Sequence, residues 1–207
     1  MMFEKIAYFF NVSGWTMYGI AICSILALAV FLEKLWALRA GRIVPRFLAV
    51  EVGDLVKVGK IAEAITICKK SDAPLGRIVQ TGLENAGKNR ERIKEMVMEV
   101  GARESTELER YMNVLNTTIS VAPMLGFLGT VLGMVQLFTR VAEVGEVTNI
   151  GLIADGIYKA LYTTIAGLTV AIPATIFYRY LNSRIDRLVQ AMELAALGVI
   201  DLIKEEK

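Results

Sequence analysis

The chain contains no histidine and only two cysteines, Cys23 and Cys68, in 207 residues. Without imidazole, and with two thiols far apart in sequence, the usual Cys/His metal cages cannot be assembled and the commonest general base is missing. No nucleophile with a base or a metal set can be put together, so the sequence argues against an enzyme and requires no cofactor and no metal. The two thiols read as small apolar packing residues kept reduced. Net charge is small too, since 23 Lys and Arg against 21 Asp and Glu leave +2. No basic run with interleaved aromatics occurs, so nucleic acid is not an expected partner.

Apolar residues are what the chain has in excess. They make up 55% of it against 21% charged, and the mean hydropathy is +0.49, too apolar for a soluble domain of this length. The apolar excess is concentrated in blocks. No charged residue occurs from Ile6 to Leu32, from Tyr111 to Thr139, or from Ala160 to Tyr178. A bilayer core needs about 20 apolar residues in helical form, so three membrane spans are predicted. The first, at 15–38, is longer than a signal peptide's apolar run. It ends in Glu33-Lys34-Leu35-Trp36 rather than in a small-residue cleavage site, and so reads as a retained helix. Residues 1–14 before it are expected to form an amphipathic segment on the membrane surface.

More than half of the Lys and Arg residues lie in the polar segment 39–110. Apolar positions recur there at helical spacing, as at Ile61, Ile65 and Cys68, and again at Ile93, Val97, Val100 and Leu108. Gly53, Gly59, Ser71-Asp72-Ala73-Pro74 and Gly87 are expected to punctuate these helices. The last helix, from about Asn89, is expected to run without a stop into the second span at 111–140. A loop at 141–152 then leads to the third span at 153–180. The tail at 181–207, with Ile185, Leu188, Val189, Met192, Leu197, Ile200 and Ile203 among charges, reads as a continuation of span three that packs on the polar segment. Arg179, Arg184 and Arg187 follow the third span closely. By the positive-inside rule the polar segment and the tail are cytoplasmic, and the N-terminus and the short loop are outside.

Spans two and three lack the Asp, Glu, Lys or His that proton relays and ion-coupled transporters place at membrane depth. They carry hydroxyls instead: Thr117, Thr118, Ser120 and Thr130 in the second, and Thr163, Thr164, Thr169 and Thr175 in the third. A hydroxyl can relay a hydrogen bond but cannot store a proton near pH 7. If protons cross here, another chain must supply the titrating carboxylate. The plainer reading of each hydroxyl is back-bonding to the preceding helical turn. Gly126, Gly129, Thr130 and Gly133 form one small-residue strip, and Gly167, Ala171 and Ala174 form another, suited to close helix packing. Pro123 and Pro173 lie inside the spans and read as shape features. Lys159, at the edge of span three, either snorkels to the headgroups or pairs with Asp155 one turn earlier.

The run Ala122-Pro123-Met124-Leu125-Gly126-Phe127-Leu128-Gly129-Thr130-Val131-Leu132-Gly133-Met134 resembles the signature of the ExbB/TolQ/MotA proton-channel family, on its ExbB and TolQ branch. Gly156-Ile157-Tyr158-Lys159-Ala160-Leu161-Tyr162-Thr163-Thr164-Ile165-Ala166-Gly167-Leu168, followed by Ala171-Ile172-Pro173-Ala174, is similar to the family's third span. Leu108-Glu109-Arg110-Tyr111 is similar to the lead-in to the second. The resemblance implies an all-α inner-membrane subunit that forms a homopentamer around single-span partners of the ExbD/TolR type, whose membrane Asp carries the proton. It further implies that Thr130 and Thr164 line the central pore. One departure is that ExbB and TolQ commonly carry Glu where this chain has Lys159, which reverses the charge near the pore mouth and marks Lys159 as a candidate partner or charge-pair site. The expected function is that of a proton-driven stator energising an envelope process. The alternative is a structural membrane scaffold that does not conduct, and a secondary transporter is disfavoured by the missing midplane charges.

Overall fold

The computed structural model describes residues 15–144 and 150–205. The expected amphipathic segment at 1–14, the middle of the 141–152 loop and the last two residues lie outside these. Every element among the described residues is a helix: α1 (Trp15–Ala37), α2 (Ala40–Ile43), α3 (Arg46–Lys57), α4 (Ile61–Lys70), α5 (Pro74–Glu84), α6 (Arg90–Leu108), α7 (Met112–Val144) and α8 (Ile150–Glu205). Helices α1, α7 and α8 are each long and apolar enough to cross a membrane. The chain folds as two compact units. One comprises the chain up to Leu32 with Tyr111–Arg179, and the other Glu33–Arg110 with Tyr180–Lys207.

The polar unit is built from α2 to α6, the last turn of α1 and the C-terminal part of α8. Its helix ends follow local chemistry. Helix α3 stops at Gly59, whose φ of 74° glycine adopts without the strain of a side chain. There Lys60 N–H donates to the Leu55 carbonyl at 2.9 Å and Gly59 N–H to that of Val56 at 3.0 Å, the paired bonds of a Schellman cap. Pro74 opens α5, where its missing N–H costs nothing. Asn89 caps α6 by accepting from Glu91 N–H. Gly53 does not act as the expected breaker. It lies buried inside α3, where an added Cβ would stand 3.6 Å from Leu202.

The core of this unit joins the helical faces expected from the spacing to the tail of α8. Cys68, Ile78, Val97, Ile185, Leu188, Met192 and Ile200 are all buried. Gly82 on α5 lets Ile200 and Val97 approach, since a Cβ there would lie 3.2 Å and 3.4 Å from them. Arg184 Nε donates to the Leu38 carbonyl at 2.9 Å and so satisfies an acceptor just past the end of α1. Glu104 is buried on α6 and takes both guanidinium branches of Arg77 on α5 in a fork-to-fork pair. Arg77 also donates to the Asp72 carbonyl at 3.1 Å.

The expectation of an unbroken helix from Asn89 into span two is corrected here. Helix α6 ends at Leu108 and α7 begins at Met112. Between them Tyr111 adopts a φ of 66°, the one non-glycine in the left-handed region among the described residues. Such a residue costs about 1–2 kcal/mol and cannot continue a right-handed helix. No glycine or proline marks the break, which is why composition did not show it. Helix α7 also extends to Val144 and α8 resumes at Ile150, so helix covers both flanks of the expected 141–152 loop.

Candidate functional site

The apolar unit brings α7 against α8 through residues without bulk. At Gly126 an added Cβ would lie 2.7 Å from the Thr163 carbonyl oxygen and 3.0 Å from Thr164 Cα. At Gly167 it would lie 2.5 Å from the Ala122 carbonyl oxygen, and at Gly133 it would lie 2.9 Å from Ala160 Cβ. The first two are approaches to backbone, and the third is to a methyl side chain; all three leave no room for a Cβ. Gly129 faces a polar pocket instead, where a Cβ would stand 2.6 Å from Thr163 Oγ1 and 2.8 Å from Thr16 Oγ1 of α1. Thr16 and Thr163 are both fully buried. Pro123 and Pro173 lie inside α7 and α8, and both helices pass through them. The rings of Phe31 and Phe177 stack at 3.9 Å, joining α1 to α8 further along.

Close approach at Gly126 places Thr130 and Thr164 face to face. Their hydroxyl oxygens are 2.5 Å apart, and either can donate to the other. Two carbonyls surround the pair. Thr130 Oγ1 lies 3.2 Å from the Gly126 carbonyl and 3.1 Å from that of Ala160, while Thr164 Oγ1 lies 3.2 Å from Gly126 O. Both threonines are half-buried. Back-bonding to the preceding turn accounts for the other hydroxyls: Thr117 to Asn113, Thr118 to Val114, Ser120 to Asn116, Thr169 to Ile165 and Thr175 to Ala171. Thr130, Thr163 and Thr164 differ in bonding across the helix contact.

Thr163 was named from sequence only as one of the span hydroxyls, without a site role, yet its hydroxyl reaches the same two carbonyls, at 3.0 Å from Gly126 O and 2.7 Å from Ala160 O. A signal for it existed. Ala160, Thr163, Gly167, Ala171 and Ala174 recur at three- and four-residue spacing, so Thr163 belongs to the small-residue strip facing α7. Lys159 lies one residue before Ala160, and its ammonium stands 2.5 Å from Asp155 on the same helix face. The stretch of α7 from Met112 to Thr139 and that of α8 from Ala160 to Tyr178 hold no ionisable acid or base other than tyrosine. The arrangement can pass hydrogen bonds between hydroxyls, but it has no group of its own to hold a proton at neutral pH.

The model of the MotA/TolQ/ExbB proton channel family matches residues 70–194. A protein of Methanothermobacter thermautotrophicus described as an ExbB homolog is 32% identical over 193 residues, covering 93% of this chain and 68% of the relative. The biopolymer transport protein ExbB of Pseudomonas putida is 31% identical over 171 residues, covering 78% of this chain and 51% of the relative. The Tol-Pal system protein TolQ of Pseudomonas aeruginosa is 38% identical over 88 residues, covering 42% of this chain and 38% of the relative.

Proposed function

From membership of the MotA/TolQ/ExbB proton channel family, to which this chain belongs, we propose that it is the ring-forming subunit of an inner-membrane motor driven by the proton-motive force. In this reading copies of the chain, five by the family's pattern, surround single-span partners of the ExbD/TolR type. A partner Asp carries the proton past the hydroxyls of Thr130 and Thr164, and its cycle of protonation drives movement of the partner relative to the ring. The observation that carries the reading is the 2.5 Å hydroxyl pair held between α7 and α8 in a stretch without fixed charge. Such a lining can solvate a passing carboxylic acid without trapping its ionised form, as a fixed cation would. One elementary charge crossing the membrane potential releases about 2.3 kcal/mol per 100 mV, so a shallow, hydroxyl-lined path suits the energy available per step.

The polar unit and the tail are cytoplasmic in this reading, and the α7–α8 connection is external. Lys159 then lies near the outer end of α8. Its ion pair with Asp155 is partly exposed and contributes at most about 1 kcal/mol. A partner carboxylate passing this point would compete with Asp155 for the ammonium.

Thr130→Val and Thr164→Val test the reading, because each removes a hydroxyl and almost no volume. Energy-dependent function of the chain with its membrane partner should be lost in both while assembly is retained. Full activity in both variants would favour the structural scaffold instead.

A further inference from the structure

Three hydroxyls and two carbonyls meet at the α7–α8 contact, and their hydrogens can be counted. Each threonine has one hydroxyl proton to donate. The Gly126 and Ala160 carbonyls each accept the N–H four residues on within their own helix, so each has one lone pair left. Thr163 reaches both carbonyls, at 3.0 Å and 2.7 Å, and no other acceptor. Thr164 reaches only Gly126 O and Thr130. Thr130 reaches Gly126 O, Ala160 O and Thr164.

We propose that Thr163 is a positioning residue for the Thr130–Thr164 pair, its one proton deciding which donor directions the pair can adopt. With Thr163 on the Gly126 carbonyl, Thr164 has no carbonyl left and must donate to Thr130, which in turn donates to Ala160. With Thr163 on the Ala160 carbonyl, Gly126 becomes free and the opposite order opens, from Thr130 to Thr164 to Gly126. Turning one buried hydroxyl therefore admits or forbids reversal of the neighbouring hydrogen bond, with every hydroxyl satisfied in either arrangement. Thr163 is 1% exposed, so water does not offer it a third partner. The glycine at 126 is what makes the count close, because a side chain there would part the backbones. The functional consequence rests on the reading of Thr130 and Thr164 as pathway residues, whereas the hydrogen-bond count does not.

The test is site-resolved ¹³C NMR of the Gly126 and Ala160 carbonyls in the full chain, assembled with its partner in lipid bilayers. In Thr163→Ala, Thr130 and Thr164 keep their 2.5 Å mutual bond and so have one proton left for two carbonyls; the combined hydrogen-bond shift of the carbonyls should be halved, and Thr163→Ser should restore it. In a Thr130→Val background Thr164 occupies Gly126 and Thr163 occupies Ala160, so adding Thr163→Ala should move the Ala160 resonance and leave Gly126 in place. Thr163→Val, which keeps the volume and removes the hydroxyl, should reproduce the Ala result and so separates the hydrogen bond from packing. Unchanged carbonyls in Thr163→Ala, failure of Ser to restore them, or movement of Gly126 instead of Ala160 in the double variant would each overturn the assignment. Energy-dependent activity should fall several-fold in Thr163→Ala and recover in Thr163→Ser. Should the resonances respond as expected while Thr130→Val and Thr164→Val stay fully active, the positioning role stands and the pathway reading fails.

Discussion

Cys68 lies at 1% exposure in the core of the polar unit, and burial pushes its thiol from the ordinary 9.0 up to about 11. The neutral thiol is therefore the form the fold accommodates. Because the folded value lies above the unfolded one, this contribution to stability is complete below about pH 9 and is lost as pH rises toward 11. In a Cys23→Ala variant, iodoacetamide should leave Cys68 unlabelled at pH 8 and modify it increasingly as the pH approaches 11. Rapid labelling at pH 8 would show the thiol to be accessible. The same residue shows what sequence reading captures: its isolation and its helical spacing marked it as a packing thiol. Thr130 and Thr164 drew notice in the sequence because they stand in recognisable runs. Their bond to each other did not, since it depends on a helix separation set by Gly126 rather than on either threonine. The role of Thr163 escaped for the related reason that two adjacent hydroxyls on a helix point in directions about 100° apart, and only the neighbouring helix determines which are used.

At the scale of elements, glycines that look alike in sequence fall into two physical classes. At Gly126 a methyl would meet the Thr163 carbonyl and the Thr164 Cα, neither of which can move aside alone. Gly126→Ala should therefore destabilise the chain by about 1–3 kcal/mol through overpacking. Gly198, exposed on α8 with nothing within 4 Å of an added Cβ, should behave oppositely. There Gly198→Ala should gain about 1 kcal/mol from helix propensity alone. Thermal unfolding of the two variants in the same detergent checks both, and equal shifts would refute the distinction. The long helices were legible because absence of charge over some twenty residues leaves few alternatives. The break at Tyr111 was not, because a tyrosine in the left-handed region runs against local preference and no turn residue announces it. Gly53 misled in the other direction, being a close-packing glycine inside α3 where a breaker was expected.

Taken whole, the chain leaves large apolar side chains uncovered on each span, among them Ile25, Phe127, Phe138 and Ile165. Lipid can cover them, but a lone three-span subunit cannot enclose a lumen, so the proposed function requires copies to associate in a closed ring. Native mass spectrometry from mild detergent should show one defined oligomer larger than a dimer, and a monomer under those conditions would exclude the ring. The glycine contact between α7 and α8 also constrains how the gene itself can change. A single-base change in a glycine codon is silent, ends the chain, or yields a residue that carries a Cβ. At Gly126 and Gly167 that atom would fall within 2.7 Å of a backbone oxygen on the facing helix. Point mutation thus offers no gradual route through these positions. Any lineage that replaced one of them would first have to part the two helices, and with them the hydroxyls they hold together.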